Sequence, residues 1–317
     1  MVFGWETSGD EVVATYSESV KGKTFAITGA SAGGLGAQTA IYLAAAKPAE
    51  IILLGRTESK STSVITELNR IDPEIHTRFI TLDLASFDSI RQAATELNAS
   101  VTKLDILINN AGIMGLEKYT LTQNGLEAQF GANHIGHFLF TNLIMPKILA
   151  AGPGARVVNL ASNGHWVGDW RGEDYNFHDG AAYDAWEAYG QSKTANILFA
   201  KSLAAKGVLA YSLHPGMIQT NLGNDVDPGV WPGVFAMFAA HGYPADEGNL
   251  TRFKTLPQGV ATTLTAALSP EIVKDSGAYL VDSNVSSSLI ARHATDMARA
   301  EALWKQSEEI VGERFEY

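Results

Sequence analysis

Ser162, Tyr189 and Lys193 are residues whose types and spacing could transfer a proton. Tyr189 and Lys193 are four residues apart, so on a helix they lie on the same face. A phenol with a pKa of about 10 is a weak acid at neutral pH, but a nearby ammonium favours the phenolate and lowers that pKa. Ser162 ends a predicted strand and could donate a hydrogen bond to an oxygen that gains negative charge. The pattern indicates acid–base chemistry on a substrate oxygen, although it also fits a surface Tyr–Lys pair and a capping serine.

A glycine-rich stretch, TGASAGGLG at 28–36, follows the first predicted strand and precedes an alanine-rich helix. At such a turn the free N–H groups of the helix start attract a pyrophosphate, and glycine lets the ligand approach the backbone. Its position in the first strand–helix–strand unit favours a dinucleotide site over an ordinary flexible turn.

The end of the second predicted strand discriminates between the two nicotinamide cofactors. An acidic residue there would accept the ribose 2′-hydroxyl of NAD, whereas this chain has Gly55, Arg56 and Thr57. Arginine can form a bidentate contact with a 2′-phosphate and stack on adenine. Arg56 therefore indicates NADP(H); the alternative is a solvated surface arginine.

A sheet must hold these residues at one edge, and the apolar pattern predicts one. Short apolar runs alternate with helical patterns, and continuous apolar runs such as IILLG are typical of strands buried on both faces. The alternation predicts one α/β domain, doubly wound around a seven-stranded parallel sheet. Outside the sheet we expect a polar lead-in at 1–20, irregular insertions at 163–183 and 222–256, and a helical tail at 286–317. The predicted strands lie at 21–29, 51–55, 78–84, 104–112, 155–162, 208–216 and 277–282.

Composition excludes several classes of protein. The 317 residues include 23 basic and 34 acidic side chains, a net charge of -11, so the chain lacks the basic surface that nucleic acid requires. With no cysteine there is no disulfide, no Cys-ligated zinc and no Cys nucleophile. We see no secretory signal and no apolar run of about 18 residues, so we predict a cytoplasmic protein without a transmembrane segment.

Further motifs occur in a fixed order along the chain: LDLAS at 82–86, NNAG at 109–112, NHIGHF at 133–138, YGQSK at 189–193 and HPGMIQT at 214–220. Together with the glycine-rich stretch, they resemble the short-chain dehydrogenase/reductase family over roughly residues 20–285. The lead-in, NHIGHF and the long gap between Ser162 and Tyr189 look most like its retinol-dehydrogenase or WW-domain-oxidoreductase branch. The resemblance implies a Rossmann-type fold.

The resemblance also implies roles for individual residues. Asn133 would hold a water against Lys193, and Tyr189 and Lys193 would themselves contact the cofactor. The glycine loop departs from the family spacing by one residue; we favour Gly29, Gly34 and Gly36, with Gly33 as the alternative to Gly34. The remaining residues implied in cofactor binding are Ser31 and Leu35 in the loop, Asp83 and Leu84 near adenine, Asn110, Ala111 and Gly112 behind the ribose, and Thr220 at the nicotinamide amide.

The combined pattern predicts an NADP(H)-dependent oxidoreductase that reduces a ketone or aldehyde, or oxidises the alcohol. The 222–256 insertion would cover the substrate, and its aromatic and Met side chains indicate an apolar one; packing against a partner chain or a membrane fits equally. The alternatives are a silent NADP(H)-binding sensor or scaffold, and a non-redox enzyme with the same pocket. A homo-oligomer remains open. No metal site is predicted: His134 and His137 are expected to be structural, while His165 could line the substrate pocket.

Overall fold

Ten strands are present in the structure, a computed structural model that describes residues 3–223, 226–245 and 250–317. They are β1 (Thr24–Thr28), β2 (Glu50–Gly55), β3 (His76–Thr81), β4 (Ile106–Asn109), β5 (Arg156–Leu160), β6 (Leu209–His214), β7 (Met217–Ile218), β8 (Phe253–Lys254), β9 (Tyr279–Val281) and β10 (Asn284–Val285). The main sheet has the order β10-β9-β6-β5-β4-β1-β2-β3, and a separate pair joins β7 to β8.

The seven predicted strands are all present and parallel, from β1 to β6 and at β9. The prediction of seven strands is nevertheless one too few, because β10 adds an antiparallel edge strand to β9. It is reached through Asp282 and Ser283, whose φ angles are 50° and 64°. Asn284 and Val285 are both exposed, so β10 has no apolar pattern that a sequence could show.

Helices cover both faces of the sheet, which confirms the doubly wound α/β domain. They are α1 (Gly9–Thr15), α2 (Leu35–Ala44), α3 (Thr62–Ile71), α4 (Phe87–Ser100), α5 (Ala128–Phe130, continued through a π turn at Gly131–Ile135 to Gly136–Ala150), α6 (Ala185–Ala205), α7 (Trp231–Ala240), α8 (Leu256–Leu268) and α9 (Met297–Val311). One face of the sheet carries α1, α2, α3 and α8, and the other carries α4, α5, α6 and α9.

The two terminal segments pack on opposite faces. The predicted polar lead-in contains α1, whose Val12 and Val13 are buried. A Cβ at Gly9 would collide with Val260 and Leu264 of α8, so the backbones of α1 and α8 approach closely. The predicted helical tail contains α9, and its Trp304 packs edge-on against a phenylalanine of α5.

The 222–256 insertion contains α7 and is closed at its base by the short β7–β8 pair. α7 contacts the rest of the domain through the buried Val234 and Phe238. No helix in the described parts of the chain is both long enough and apolar enough to cross a bilayer.

The carboxyl ends of β1, β4, β5 and β6 meet at one edge because these strands are parallel neighbours. Chain order reverses around β1, which lies between β2 and β4. In open α/β sheets a ligand crevice forms at such a reversal, beyond the carboxyl ends of the strands. The site is therefore expected where Thr28, Asn109 and Leu160 end their strands.

Candidate active site

The structure brings Ser162, Tyr189 and Lys193 together at this edge. Tyr189 and Lys193 are buried on α6, and the Lys193 Nζ lies 5.4 Å from the centre of the Tyr189 ring. Ser162 follows β5 and forms a side-chain hydrogen bond with Tyr189. The Ser162 hydroxyl also accepts the Gly164 N–H at 3.0 Å. A phenol and a hydroxyl are thus held side by side, with an ammonium one helical turn away.

The acidity of Tyr189 differs from the expectation drawn from spacing. Burial raises the pKa of Tyr189 to about 12, and the hydrogen bond with Ser162 offsets part of that increase. Lys193 was expected to lower this pKa, but removal of the phenol from water outweighs any such effect. The phenol is therefore protonated at neutral pH and can act as a proton donor.

Lys193 occupies an unusual environment for an ammonium. It is 3% exposed, and burial lowers its pKa from 10.5 to about 8. Its Nζ donates a hydrogen bond to the Leu160 carbonyl at 3.2 Å. Among the described residues no carboxylate pairs with it. A buried charge without a counter-ion is costly, which is a feature of sites where charge serves chemistry.

Asn133 lies in the π turn of α5 and is completely buried. Its Oδ1 accepts the Ile113 N–H at 2.8 Å, and its Nδ2 donates to the Ile113 carbonyl and the Ser192 hydroxyl, both at 2.9 Å. The amide thus ties the segment after β4 to α6 next to Lys193. A Cβ at Gly112 would lie 3.2 Å from Asn133 Oδ1 and 3.5 Å from Lys193 Nζ, so Gly112 keeps this space narrow.

The glycine loop packs tightly against the end of β4. A Cβ at Gly29 would lie 2.7 Å from the Ala111 Cα, and one at Gly36 would lie 2.6 Å from Asn110 Nδ2. The left-handed turn occurs at Gly33, with φ of 77°, while Gly34 is the N-cap of α2. Gly33 and Gly34, the two alternatives for the second glycine of the motif, therefore have different positions: Gly33 adopts the left-handed conformation of the turn, and Gly34 is the N-cap of the helix.

The NNAG segment is fixed to the end of β1. The Thr28 hydroxyl accepts the N–H groups of Asn110 and Ala111, each at 2.9 Å. Asn110 Nδ2 donates back to the carbonyls of Thr28 and Gly29 at 2.8 and 3.1 Å. Ser31 is tied to the same loop, because its carbonyl accepts the Gly34 N–H at 3.1 Å. Leu35, half-buried, begins α2.

These residues fit a dinucleotide. The glycines place no side chain between the backbone of the loop and a phosphate. The N-terminus of α2 supplies free N–H groups at the same place. Arg56 follows β2, is exposed, and has no ion-pair partner within the described ranges. Asp83 caps its own turn through the Ala85 N–H at 3.0 Å, and Leu84 is buried beside it. Thr220 is half-buried and follows β7.

Aromatic rings lead away from Tyr189 towards the 222–256 insertion. The Trp186 ring lies edge-on to Tyr189 with centres 6.2 Å apart. Trp231 lies 5.3 Å from Trp186, and Phe235 is stacked on Trp231 at 6.1 Å. Trp186, Trp231 and Phe235 are half-buried, so they present an apolar surface next to the phenol.

The three histidines named from the sequence are buried and uncharged. Burial, as the largest cause, lowers the pKa of His134 and His165 to about 3 and that of His137 to about 4. His165 does not line a pocket: its Nδ1 bonds to the Ser162 carbonyl at 2.6 Å and its Nε2 accepts the Ala291 N–H at 2.9 Å. His165 thus fastens the Ser162 turn to the C-terminal part of the chain.

Comparisons with known proteins agree with this geometry. The family model of the short chain dehydrogenases matches residues 23–176. Mouse retinol dehydrogenase 12 is 34% identical over 96% of this chain and 91% of its own length. Human retinol dehydrogenase 13 is 35% identical over 93% of this chain and 86% of its own. The chain belongs to the short-chain dehydrogenase/reductase family. The predicted resemblance to its retinol-dehydrogenase branch is confirmed.

Other relatives and solved structures extend this result. The chloroplastic short-chain dehydrogenase TIC 32 A of Brassica napus is 32% identical over 98% of this chain and 94% of its own. A protein of known structure from Mycobacterium paratuberculosis has a TM-score of 0.69 and 31% identity, covering 94% of this chain and 96% of its own. NADPH-bound carbonyl reductase from chicken fatty liver has a TM-score of 0.59 and 21% identity, covering 84% and 99%, and so shares the fold.

Two asparagines of this family member were not predicted from the sequence. Asn221 Nδ2 donates to the Ala32 carbonyl of the glycine loop at 2.9 Å, which links the start of the 222–256 insertion to that loop. Asn163 bonds to the Tyr243 hydroxyl and accepts the Tyr279 hydroxyl at 3.0 Å. Asn221 directly follows Thr220, and Asn163 directly follows Ser162. Their positions next to predicted site residues were the signal that the sequence offered.

Proposed function

We propose that this oxidoreductase is an NADP(H)-dependent reductase of apolar aldehydes or ketones, reversible to alcohol oxidation. The observation that carries the proposal is the buried Tyr189 hydroxyl, bonded to Ser162 and one turn from Lys193. It lies at the same sheet edge as the glycine loop and Arg56. A cofactor-sensing protein would need the loop and Arg56 but would have no use for a buried acid.

When bound, the nicotinamide would supply a hydride to the carbonyl carbon. Ser162 and Tyr189 would bind the carbonyl oxygen and stabilise its growing negative charge. As the hydride arrives, the Tyr189 O–H bond breaks, its proton forms the new O–H bond of the alcohol, and the phenolate remains. The Lys193 ammonium would stabilise that phenolate, and Asn133 would hold a water through which the proton is replaced.

The cofactor preference is proposed from charge. Arg56 would contact the 2′-phosphate of NADP(H), while Gly29, Ser31, Gly34, Leu35 and Gly36 would surround the pyrophosphate. Asp83 and Leu84 would flank adenine, and Asn110, Ala111 and Gly112 would lie behind the ribose. Lys193 and Tyr189 would contact the nicotinamide ribose, with Thr220 at the amide.

The substrate class is proposed from the aromatic rings. Trp186 is the nearest of them to the reacting phenol, and Trp231 and Phe235 continue the same apolar surface into the 222–256 insertion. Apolar pockets with few polar groups select apolar ligands. We therefore propose that the insertion covers an apolar carbonyl compound. The cytoplasmic location and a homo-oligomer stay predictions.

Oxidation of NADPH against a panel of apolar aldehydes, ketones and quinones tests this function. Tyr189→Phe keeps the ring and its packing but removes the proton donor, so we expect turnover to fall by about 10²–10⁴-fold. NADPH should still bind, because Lys193, Arg56 and the glycine loop are unchanged. Turnover of Tyr189→Phe within a few-fold of the parent would contradict the mechanism. NADPH binding without turnover of any carbonyl would instead support the silent sensor.

A further inference from the structure

His137 is the histidine of this chain that contacts two parts of the site at once. It lies one helical turn after Asn133 on α5 and is buried. Its Nδ1 lies 2.9 Å from the Asn133 carbonyl oxygen, and its Nε2 lies 2.9 Å from the Thr28 hydroxyl. Thr28 in turn holds the N–H groups of Asn110 and Ala111. The imidazole therefore bridges the Asn133 turn and the segment behind the cofactor ribose.

The hydrogen bonds of Thr28 fix where the imidazole proton is. A hydroxyl has two acceptor positions and one proton. Asn110 N–H and Ala111 N–H occupy both acceptor positions, so the Thr28 proton must be donated to His137 Nε2. The ring then carries its own proton on Nδ1 and donates it to the Asn133 carbonyl. Only this placement of the protons gives every polar atom in these contacts a hydrogen-bond partner.

A charged ring would break this arrangement. An imidazolium carries protons on both nitrogens and could not accept the Thr28 hydroxyl. Burial lowers the pKa of His137 to about 4 although the hydrogen bond to Asn133 raises it, and the Lys193 ammonium adds to the decrease, so the ring is neutral at physiological pH. The neutral state and the proton assignment agree.

We propose that His137 is a positioning residue that sets the spacing between the Asn133 turn and the Asn110–Ala111 backbone. Because the side chain is buried, it would contact neither substrate nor cofactor itself. Through Thr28 it holds the segment proposed to lie behind the cofactor ribose, and through the Asn133 carbonyl it holds the turn beside Lys193. The inference rests on the proposed function for its kinetic and NADPH-binding readouts, but not for its tautomer and amide-exchange readouts.

The first test uses the unaltered protein. Nitrogen NMR of histidine-labelled protein separates the two neutral tautomers, and the His137 signal is identified by its loss in His137→Asn. We expect a protonated Nδ1 and a bare Nε2 near neutral pH. The opposite tautomer, or a charged ring, would overturn the inference independently of any kinetic or binding measurement.

The second test separates the two hydrogen bonds. His137→Asn keeps a donor at the Nδ1 position, which can still bond to the Asn133 carbonyl four residues earlier. Asn142 makes the equivalent bond on the same helix, donating to the Phe138 carbonyl at 2.8 Å. His137→Gln instead places its amide near the Nε2 position, where it can accept the Thr28 hydroxyl. The Asn variant thus loses the bond to Thr28, and the Gln variant loses the bond to Asn133.

We expect different consequences for the two variants. In His137→Asn, amide exchange of the 110–112 segment should accelerate by roughly five- to thirtyfold, the range for one or two hydrogen bonds, and NADPH affinity should fall similarly. In His137→Gln, exchange and NADPH affinity should change little while kcat falls. Amide exchange needs no substrate, so it tests the role of His137 even if no carbonyl is turned over.

His134→Phe is the matched control. His134 is equally buried on the same helix, but its Nε2 bonds to Ser307 of the tail at 3.1 Å. Its loss should lower stability without changing exchange at 110–112 or NADPH affinity. If His137→Asn and His137→Gln change these quantities equally, or no more than His134→Phe does, His137 only fills space and the inference fails.

Discussion

Replacement of Lys193 by methionine should make the protein more stable while it removes activity. Met has nearly the same length and no charge, so it can occupy the same buried space. The Leu160 carbonyl, which loses the lysine donor, still accepts Asn196 Nδ2 at 3.1 Å. The variant therefore removes a buried ammonium without leaving a buried acceptor unpaired.

The magnitude follows from the pKa of Lys193. The difference between 10.5 and about 8 corresponds to roughly 3 kcal/mol of desolvation cost to the folded state. Loss of the hydrogen bond to Leu160 costs about 1 kcal/mol, which leaves a net gain of about 2 kcal/mol at pH 7. In the parent the cost is present in full below pH 8, where Lys193 is charged whether folded or unfolded. It is relieved as pH rises from about 8 to 10.5, so the advantage of the variant should shrink there.

Lys254→Met is the matched control with the opposite expected sign. The Lys254 side chain is 1% exposed, but its Nζ pairs with Asp282 at 2.6 Å. Its removal leaves a carboxylate without its partner, which is destabilising. Urea unfolding at pH 7 and pH 10 measures both variants. If Lys193→Met is less stable than the parent at pH 7, the ammonium is better stabilised than its burial implies, and the explanation of its lowered pKa is wrong.

Three further variants test the cofactor and substrate sides of the site. Arg56→Ala should reduce the preference for NADPH over NADH by about ten- to a hundredfold, measured from the two dissociation constants; equal affinities in the parent would refute the role of Arg56. Trp231→Ala should raise KM for bulky apolar carbonyls with NADPH affinity nearly unchanged, whereas loss of cofactor binding would place Trp231 in the core. Asn221→Ala should speed NADPH release severalfold in stopped-flow measurements, because it removes the hydrogen bond between the insertion and the glycine loop. An unchanged rate would show that this hydrogen bond does not affect NADPH release.

Much of the fold could be predicted because buried parallel strands have a strong sequence signal. β1 and β5 are buried along their whole length, and each is rich in apolar residues. The eighth strand of the main sheet had no such signal, because it is two exposed residues that are defined only by pairing with β9. The lead-in was predicted as polar because Val12 and Val13 are too few to show a period, yet they are buried where α1 packs on α8.

The proximity of Tyr189 and Lys193 could be predicted from spacing, but the electrostatics of the two groups could not. A separation of four residues places Tyr189 and Lys193 on a shared helix face whatever surrounds them. The depth of burial depends on distant segments, and burial raises the pKa of Tyr189 where a decrease was expected. The pKa of a buried group reflects the whole fold, so spacing predicts which residues meet but not how strongly each holds its proton.

The π turn of α5 has a sequence signal of its own, in the two glycines that lie on either side of Asn133. Asn133 reaches Ile113 and Ser192 because one extra residue in this turn rotates it relative to a regular α-helix. Gly131 begins the turn and Gly136 follows it, and a Cβ at either would collide with a neighbouring segment. Two glycines five residues apart within a helix lower its stability, since glycine is a poor helix former. Close packing on both sides of Asn133 requires them, so this glycine spacing marks the position where the helix departs from regular geometry to aim a site residue.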